Sequence, residues 1–580
     1  MIRCVTAALS VAILLIALQT TVVPSRALSA SDFGLSPDDH GRLIAPDSAG
    51  GVIPSEVRTE TPRLVKDGHV LNVRSGLTYS ALQEAIDDAV DGDRLLVGRG
   101  TYQGSLSLTT NSLSIDSYSG AEETHIDAAS DPIFFISEEI ASIALSGFSL
   151  NGSAVMVAEG GLVSAEISIV DSRITADDCI RVMGEAVSES EVVVADSILE
   201  LSGAVVRVES GVLGSVIEVL RNTIHADSGC IIIGGGISGS HIVAGWNTGK
   251  TRETFVLLDY ADDSDISVGG NHLETTATLV NIKDYLFDSS LEISTNTVGE
   301  TDYLLSFLGG STRHVGGSYI RVVLNTADVR VMGILLPRTT VYSRGGEEIE
   351  TEIVIGSNRF SGGIRGVNIE HFGAGKVRLT GNTFSHAVSR GLHIERIASP
   401  PGHLVEVTIR GNTINANQGG GIHIGGVSGA GESRIEIDSN RVANNRGDGI
   451  YIGGLTGRSR TTVYSNTIAG NSGFGLRLGT TGEDVGVSVE ENSIFRNGVG
   501  LHLAGRIGQP AEFAIVWNDI YSNQIGMRNE SGTLLMAIGN YWGHRSGPLH
   551  GENPKGEGDR IVGSILFSPW LEESNRGLAE

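Results

Sequence analysis

Residues 435–523 repeat one pattern four times, and this period constrains the fold more than any other feature of the chain. The four lines read IEIDSNRVANN-RGDGIYIGG, TTVYSNTIAGN-SGFGLRLGT, VSVEENSIFRN-GVGLHLAG and FAIVWNDIYSN-QIGMRN. Each carries an alternating apolar strand, an Asn, an Ile or Val two places on, a second Asn, then a Gly and another short strand. The first Asn recurs at Asn440, Asn466, Asn492 and Asn518, a spacing of 26 each time. The second follows five residues later, at Asn445, Asn471, Asn497 and Asn523. A period in the twenties built from strands and turns predicts a solenoid.

The repeat reaches beyond that window. Backwards, the slot of Asn440 is filled by Asn412, Asn382, Asn358, Asn325, Asn296, Asn271, Asn247, Asn222, Asp196 and Asp171; forwards it reaches Asn540. Asn and Asp suit a turn that tolerates left-handed geometry and lets the side chain bond to nearby backbone. Coils stacked at the sheet spacing of about 4.8 Å would let equivalent amides bond from rung to rung. The interval from Asn325 to Asn358 is 33 residues, which predicts a long loop near 338–352.

Two further passages join the repeat. Residues 79–102, YSALQEAIDDAVDGDRLLVGRGTY, hold a short amphipathic segment (Leu82, Ala85, Ile86 and Ala89 on one face), an Asp-Gly-Asp turn and a first strand. Residues 540–571, NYWGHRSGPLHGENPKGEGDRIVGSILFSPWL, have the character of a closing segment, with Trp542 and Trp570 expected to pack over the last coil. Repeat, cap and closing segment together resemble the right-handed parallel β-helix superfamily, the pectate-lyase-like fold. The resemblance implies an all-β chain: a single right-handed parallel β-helix solenoid with an N-terminal amphipathic helix cap. It leaves function open, because the fold serves lyases, hydrolases, adhesins and inert scaffolds. The expected layout is a signal peptide at 1–27, a linker or leader at 28–72, the N-terminal cap at 73–105, the parallel β-helix at 106–540 and the closing segment at 541–580.

Composition agrees with tight turns between strands, since Gly numbers 78 of 580 residues and Pro only 13. A net charge of −27 speaks against nucleic acid and anionic membrane surfaces as general partners. Residues 1–27 read as a secretory signal: Arg3 supplies the positive start, 5–23 are largely apolar, and Ser25-Arg26-Ala27 offers a cleavage site. The same run is long enough to stay as an uncleaved anchor. Either way the protein is expected to be exported, secreted or held at the cell surface. No other segment is apolar enough to span a membrane, so no stable membrane insertion is expected once the signal is cleaved. Cys179 and Cys230 each lie eight residues after a supposed ladder position, two rungs apart in one column. That separation exceeds the ~7 Å limit on Cα distance for a disulfide, which predicts two free, buried thiols.

After the turn each coil has a Gly, then apolar, variable, apolar: GVNI, GLHI, GIHI, GIYI, GLRL, GLHL, with GMRN as a frayed last copy. In a strand the apolar residues face inward and the middle one outward. The outward column is therefore Asn368, His393, His423, Tyr451, Arg477, His502 and Arg528, with Arg181 and Arg207 continuing it in earlier coils. His, Arg and Tyr bond to or stack on sugars and carboxylates, whereas a plain solvated sheet face would carry more Ser, Thr, Glu and Lys. In the superfamily this strand usually lines the active groove.

Two adjacent coils, GVNIEHF and GLHIERI, bring Glu370 and Glu395 to matching positions, with His371 and Arg396 beside them. Paired carboxylates about one rung apart suit acid and nucleophile roles in glycoside cleavage, or a shared cation. The plainer alternative is that Arg396 and Arg365 neutralise two surface glutamates. Residues 313–410 hold 11 Arg and one Lys against 7 Glu and one Asp, a net of +4 that would admit an anionic glycan. Asp177-Asp178-Cys179 resembles the Asp-Asp-Cys segment of polygalacturonases, but neither the Asn-x-Asp expected one coil earlier nor the Gly-His-Gly one coil later is present. Asp259, Asp262, Asp263 and Asp265 form an acidic turn able to take Ca²⁺ or simply to be solvated; no cofactor is otherwise indicated. Three functions fit: an exported protein that binds, and in one version processes, an extracellular polysaccharide; a structural or adhesive surface protein; or a polysaccharide lyase or glycoside hydrolase. The polymer and the oligomeric state are not set by the sequence.

Overall fold

A computed structural model describes residues 65–575 apart from 109, 137–139 and 509–511, together with a two-residue antiparallel pairing of Ser36–Pro37 with Leu43–Ile44. The chain divides into two compact units, Met1–Leu64 and Val65–Glu580. The signal reading at 1–27 lies outside the described residues. The second unit begins inside the stretch read as leader, and its strand Val70–Asn72 pairs with Asp93–Val97.

The second unit is a right-handed parallel β-solenoid of about 17 turns with almost no helix. One coil shows the plan. Glu432–Asp438, Arg441–Ala443 and Ile450–Leu455 are its three strands. Each pairs in parallel with its equivalent in the next coil: Ile435 opposite Thr461, Val442 opposite Ile468, Ile450 opposite Leu476. Alternation puts Ile435, Ile437, Val442, Ile450 and Ile452 inside, all 2% exposed or less. These inward rows join into one continuous apolar core from Val70 to Phe567. Each fully buried Val, Leu or Ile contributes roughly 1.5–3 kcal/mol, so the core outweighs any single polar contact. A six-residue helix, Leu82–Asp87, adds Leu82, Ala85 and Ile86 to the same core.

The buried corners are held by side-chain ladders. Asn440 Nδ2 donates to Asn466 Oδ1 at 2.9 Å and to Ile409 O at 2.7 Å. Its Oδ1 accepts the backbone and side-chain N–H groups of Asn412, both at 2.9 Å. The chain of amides runs unbroken from Asn222 to Asn540. A second ladder joins Asn417, Asn445, Asn471, Asn497 and Asn523, and ends on Asp559 Oδ2.

Two details differ from the sequence reading. The first ladder does not continue through Asp196 and Asp171: Ser197 N–H donates to Asn222 Oδ1, and Ser172 N–H to Ser197 Oγ. The two aspartates stand one residue earlier, at φ 54° and 52°. The left-handed residue is thus the one before the ladder residue, as at Ser439, Ser465, Glu491 and Trp517. It turns the chain sharply, so that the next side chain points inward to bond the corner. A Ser ladder at another corner, Ser190, Ser215, Ser240, Ser264, Ser289 and Ser318, follows the same rule, with Glu189, Gly214 and Asp263 among its left-handed predecessors.

The long interval between Asn325 and Asn358 holds a β-hairpin, Tyr342–Arg344 with Glu347–Ile349, turning on Gly345 and Gly346. Cys179 and Cys230 flank Val205 in one column, two rungs apart, and both are free and buried. Trp542 is fully buried in the core, and Trp570 packs partly buried against it.

Candidate functional site

The expected column exists. Asn368, His393, His423, Tyr451, Arg477, His502 and Arg528 pair in register across seven successive coils. Arg181 and Arg207 pair with each other, and their column runs on through Ile232, Leu257, Asn281 and Ser306.

The column is less open than alternation alone implies: Asn368, His393 and His502 are only 4%, 6% and 4% exposed. The strand spacing of about 4.8 Å falls within the centroid separations of offset aromatic pairs, so the side chains stack on one another with a tilt. The His393 and His423 rings stack at 4.8 Å, and His423 and Tyr451 stand 4.6 Å apart. Arg477 lies over both Tyr451 and Phe474, and Phe474 stacks on His502 at 4.3 Å. Ring faces are therefore occupied by neighbours, and the polar edges are what a ligand would meet. Sequence reasoning missed Phe474, which stands three residues before Arg477.

Burial and the nearby charges of Arg365 and Arg390 lower the imidazole pKa values, to about 3 at His393 and about 4 at His423. At neutral pH both rings are uncharged, each with one N–H donor and one acceptor nitrogen. His502 Nε2 contacts Glu530 at 3.0 Å, and this bond holds the Glu530 carboxyl below its usual range. Among the described residues, buried Nδ1 of His502 and Nε of Arg477 and Arg365 have no hydrogen-bond partner. Beside the column a groove of about 390 Å³ is lined by Arg390, Gly420, His423, Asp448, Tyr451 and Arg477, among others.

Glu370 and Glu395 sit between the register pairs Ile369–Ile394 and His371–Arg396, so they occupy matching positions in adjacent coils. Glu370 pairs with Arg313 at 3.3 Å, not with Arg365 or Arg396 as the neutralisation reading supposed. Arg396 and Glu395 are exposed. His371 lies half-buried beside them; burial, Arg338 and Arg396 lower its pKa, and Glu395 partly offsets them.

Four of the remaining acidic candidates, Asp177, Asp178, Asp259 and Asp263, are engaged locally. Asp178 accepts Ala204 N–H at 2.7 Å and pairs with Arg207, and Asp177 accepts Ser202 Oγ–H at 2.5 Å. They line a second groove of about 530 Å³ with Arg181 and Glu209. In the acidic turn, Asp259 pairs with Lys283 and Asp263 with Arg344. Among the described residues no group of three or more His, Cys, Asp or Glu is placed to hold a metal ion. None of their helices is long and apolar enough to cross a membrane.

No curated protein sequence matches the chain. Among solved structures, the periplasmic alginate epimerase AlgG aligns at 11% identity and TM-score 0.17, over 73% of this chain and 84% of that one. The A-module of the Azotobacter vinelandii mannuronan C-5 epimerase AlgE6 aligns at 13% identity and TM-score 0.18, over 87% and 97%. At these scores neither likeness carries weight for activity. Residues 341–510, which include six of the seven column positions, Asn368 to His502, match the family model described as "Right handed beta helix region". The fold is that of a right-handed parallel β-helix.

Proposed function

We propose that the chain is an exported β-helix protein that binds an extracellular polysaccharide along the column face. The observation that carries this reading is the continuous stack from His393 to His502, flanked by a groove and bordered by buried nitrogen atoms without partners. Neutral imidazole edges, a phenol and guanidinium groups are donors and acceptors suited to hydroxyl-rich chains. Spaced at one coil each, they suit an extended polymer better than a compact ligand. Export rests on the apolar character of residues 1–27.

A glycan array on the mature protein tests binding. His393→Ala and His423→Ala should each weaken a detected interaction about tenfold, the effect of losing a buried hydrogen bond to ligand. Binding unchanged in both variants would refute the column as the site. Because both rings are neutral above about pH 5, their contribution should stay level from pH 5.5 to 8.

In the processing version, Glu370 and Glu395 are the catalytic candidates and Asn368, Arg396 and His371 lie beside them. Incubation with acidic and neutral polysaccharides, followed by assay for unsaturated or reducing ends, tests it. Full activity in Glu370→Gln and Glu395→Gln would remove those two residues from the chemistry. A purely structural or adhesive role would leave both assays blank.

A further inference from the structure

Arg365 and Arg390 stand three residues before Asn368 and His393, opposite one another in adjacent coils. Arg365 Nη1 donates to Asn368 Oδ1 at 2.8 Å, and Arg390 Nη1 lies 3.3 Å from His393 Nδ1. Neither contact brings a negative charge. Several other arginines of this region are paired with carboxylates: Arg313 with Glu370, Arg321 with Glu292, Arg330 with Asp302 and Arg410 with Asp438. Arg338, Arg359 and Arg396 form no ion pair among the described residues but, unlike Arg365 and Arg390, are not set opposite a second arginine. Among the described residues, no carboxylate forms an ion pair with Arg365 or Arg390.

The acid that acts on Arg390 is Asp448, which also faces two other donors. Oδ1 accepts Phe474 N–H at 3.0 Å, and Oδ2 faces Arg477 at 3.8 Å. Burial and Arg365 outweigh Asp448 and hold the Arg390 guanidinium below its ordinary value. Two like charges, half-buried at one-rung separation, repel in a setting where solvent screens them poorly. On one side the pair meets Met332. On the other it meets Gly420, whose carbonyl takes Gly391 N–H and which adds no side chain, so Arg390 opens into the groove.

We propose that Arg365 and Arg390 together bind an anionic substituent of the polymer, a carboxylate or a sulfate ester, and so select an acidic polysaccharide over a neutral one. This rests on the polysaccharide-binding reading above and adds the charge of the substrate to it. Guanidinium groups bind planar oxyanions through paired N–H donors, and Arg365 Nε is a buried donor still without an acceptor. The bound anion would relieve the repulsion between the two groups.

The test uses the full chain and four probes: a polyuronate, a sulfated polysaccharide, a neutral polysaccharide and sodium sulfate. Calorimetric titration should show both acidic polymers binding and the neutral one failing to bind. Arg365→Gln and Arg390→Gln should each weaken acidic-polymer binding about tenfold, with a shallower salt dependence. The relative affinity of the uronate and the sulfate polymer identifies the substituent. Without ligand, the double variant should melt at or above the wild-type temperature, since a repulsion has been removed. Equal binding of neutral and acidic polymers, unaffected in the double variant, would overturn the anion site while leaving the polysaccharide reading intact. If no polymer binds but sulfate raises the melting temperature of the wild type and not of the double variant, the anion site holds and the polysaccharide reading falls. A lower melting temperature in the ligand-free double variant, with no sulfate effect in either protein, would mark the two arginines as structural.

Discussion

The coils between Ser172 and Ser318 and those between Asn412 and Asn523 share one backbone plan but secure it at different corners. Both carry the first ladder. In the earlier coils the second row is serine, placed where the chain enters the Glu191–Ala195 type of strand. In the later coils the second row is asparagine, placed before the column strand. The difference follows corner length. Between Ile198–Leu201 and Ala204–Val208 only two residues make the bend. Between Thr413–Asn415 and Ile422–Gly429 there are six, including the left-handed Ala416, and Asn417 bonds the wider corner. Ladders mark where a left-handed residue forces a buried bend. The column with stacked imidazoles belongs to the wide-corner half.

The largest test of this contrast is to break one rung in each kind of ladder. Asn466→Ala should cost about 3–4 kcal/mol, because it removes bonds to Asn492 and Ile437 and strands the N–H groups of Asn440. Ser240→Ala should cost only about 1–2 kcal/mol, since Ser240 Oγ accepts one N–H, at 3.3 Å, and donates to the local carbonyl of Ser238 at 2.9 Å, so fewer groups are stranded. Hydrogen exchange of the flanking coils measures both, because a long solenoid opens regionally rather than as one unit. Equal losses would remove the distinction.

A smaller effect sharpens the end of the asparagine ladder. Asp559 accepts both N–H groups of Asn523, which favours its carboxylate, yet burial prevails and raises its pKa to about 6. A carboxyl raised in the folded state stabilises most below the ordinary Asp pKa near 4, and that benefit is lost as pH rises through about 6. Asp559→Asn supplies the same acceptor without charge. It should raise stability at pH 7 by roughly 2 kcal/mol and flatten the pH dependence between about 4 and 7. An unchanged profile in thermal melts from pH 4 to 8 would show that the carboxyl is not desolvated. The smallest expected effect concerns the narrow-corner half: burial pushes the Cys179 and Cys230 thiols up. Both should resist a thiol reagent in the native protein at pH 8 and react once it is unfolded.

Much of this is legible in the sequence. Asn440 and its partners could be seen because one residue type recurs at one offset with glycine after it. The alternation in GLHI and GIHI placed His393 and His423 outward and in line. The slip at Asp196 arose because aspartate precedes serine there, and an acidic residue resembles the Asn pattern more than Ser197 does. The serine ladder stayed hidden because Ser is common and its neighbours Glu189, Gly214 and Asp263 differ. Burial of His393 and His502 depends on rings stacking from separate coils, which no single-strand pattern encodes. The arginine pair did leave a trace, Arg-Gly-Val-Asn at 365–368 and Arg-Gly-Leu-His at 390–393, but the absence of counter-charges required all neighbouring coils to be placed.

The hairpin at 342–349 has a practical meaning. The coil that carries it is 33 residues from ladder Asn to ladder Asn, against 24 in the next, yet the amide bond across it is still 2.9 Å. Extra sequence inserted between bends leaves the scaffold untouched. The tip at Gly345-Gly346 is therefore a natural place to graft a peptide or an affinity tag, and an ancestral chain could have gained new surface there without renegotiating its fold.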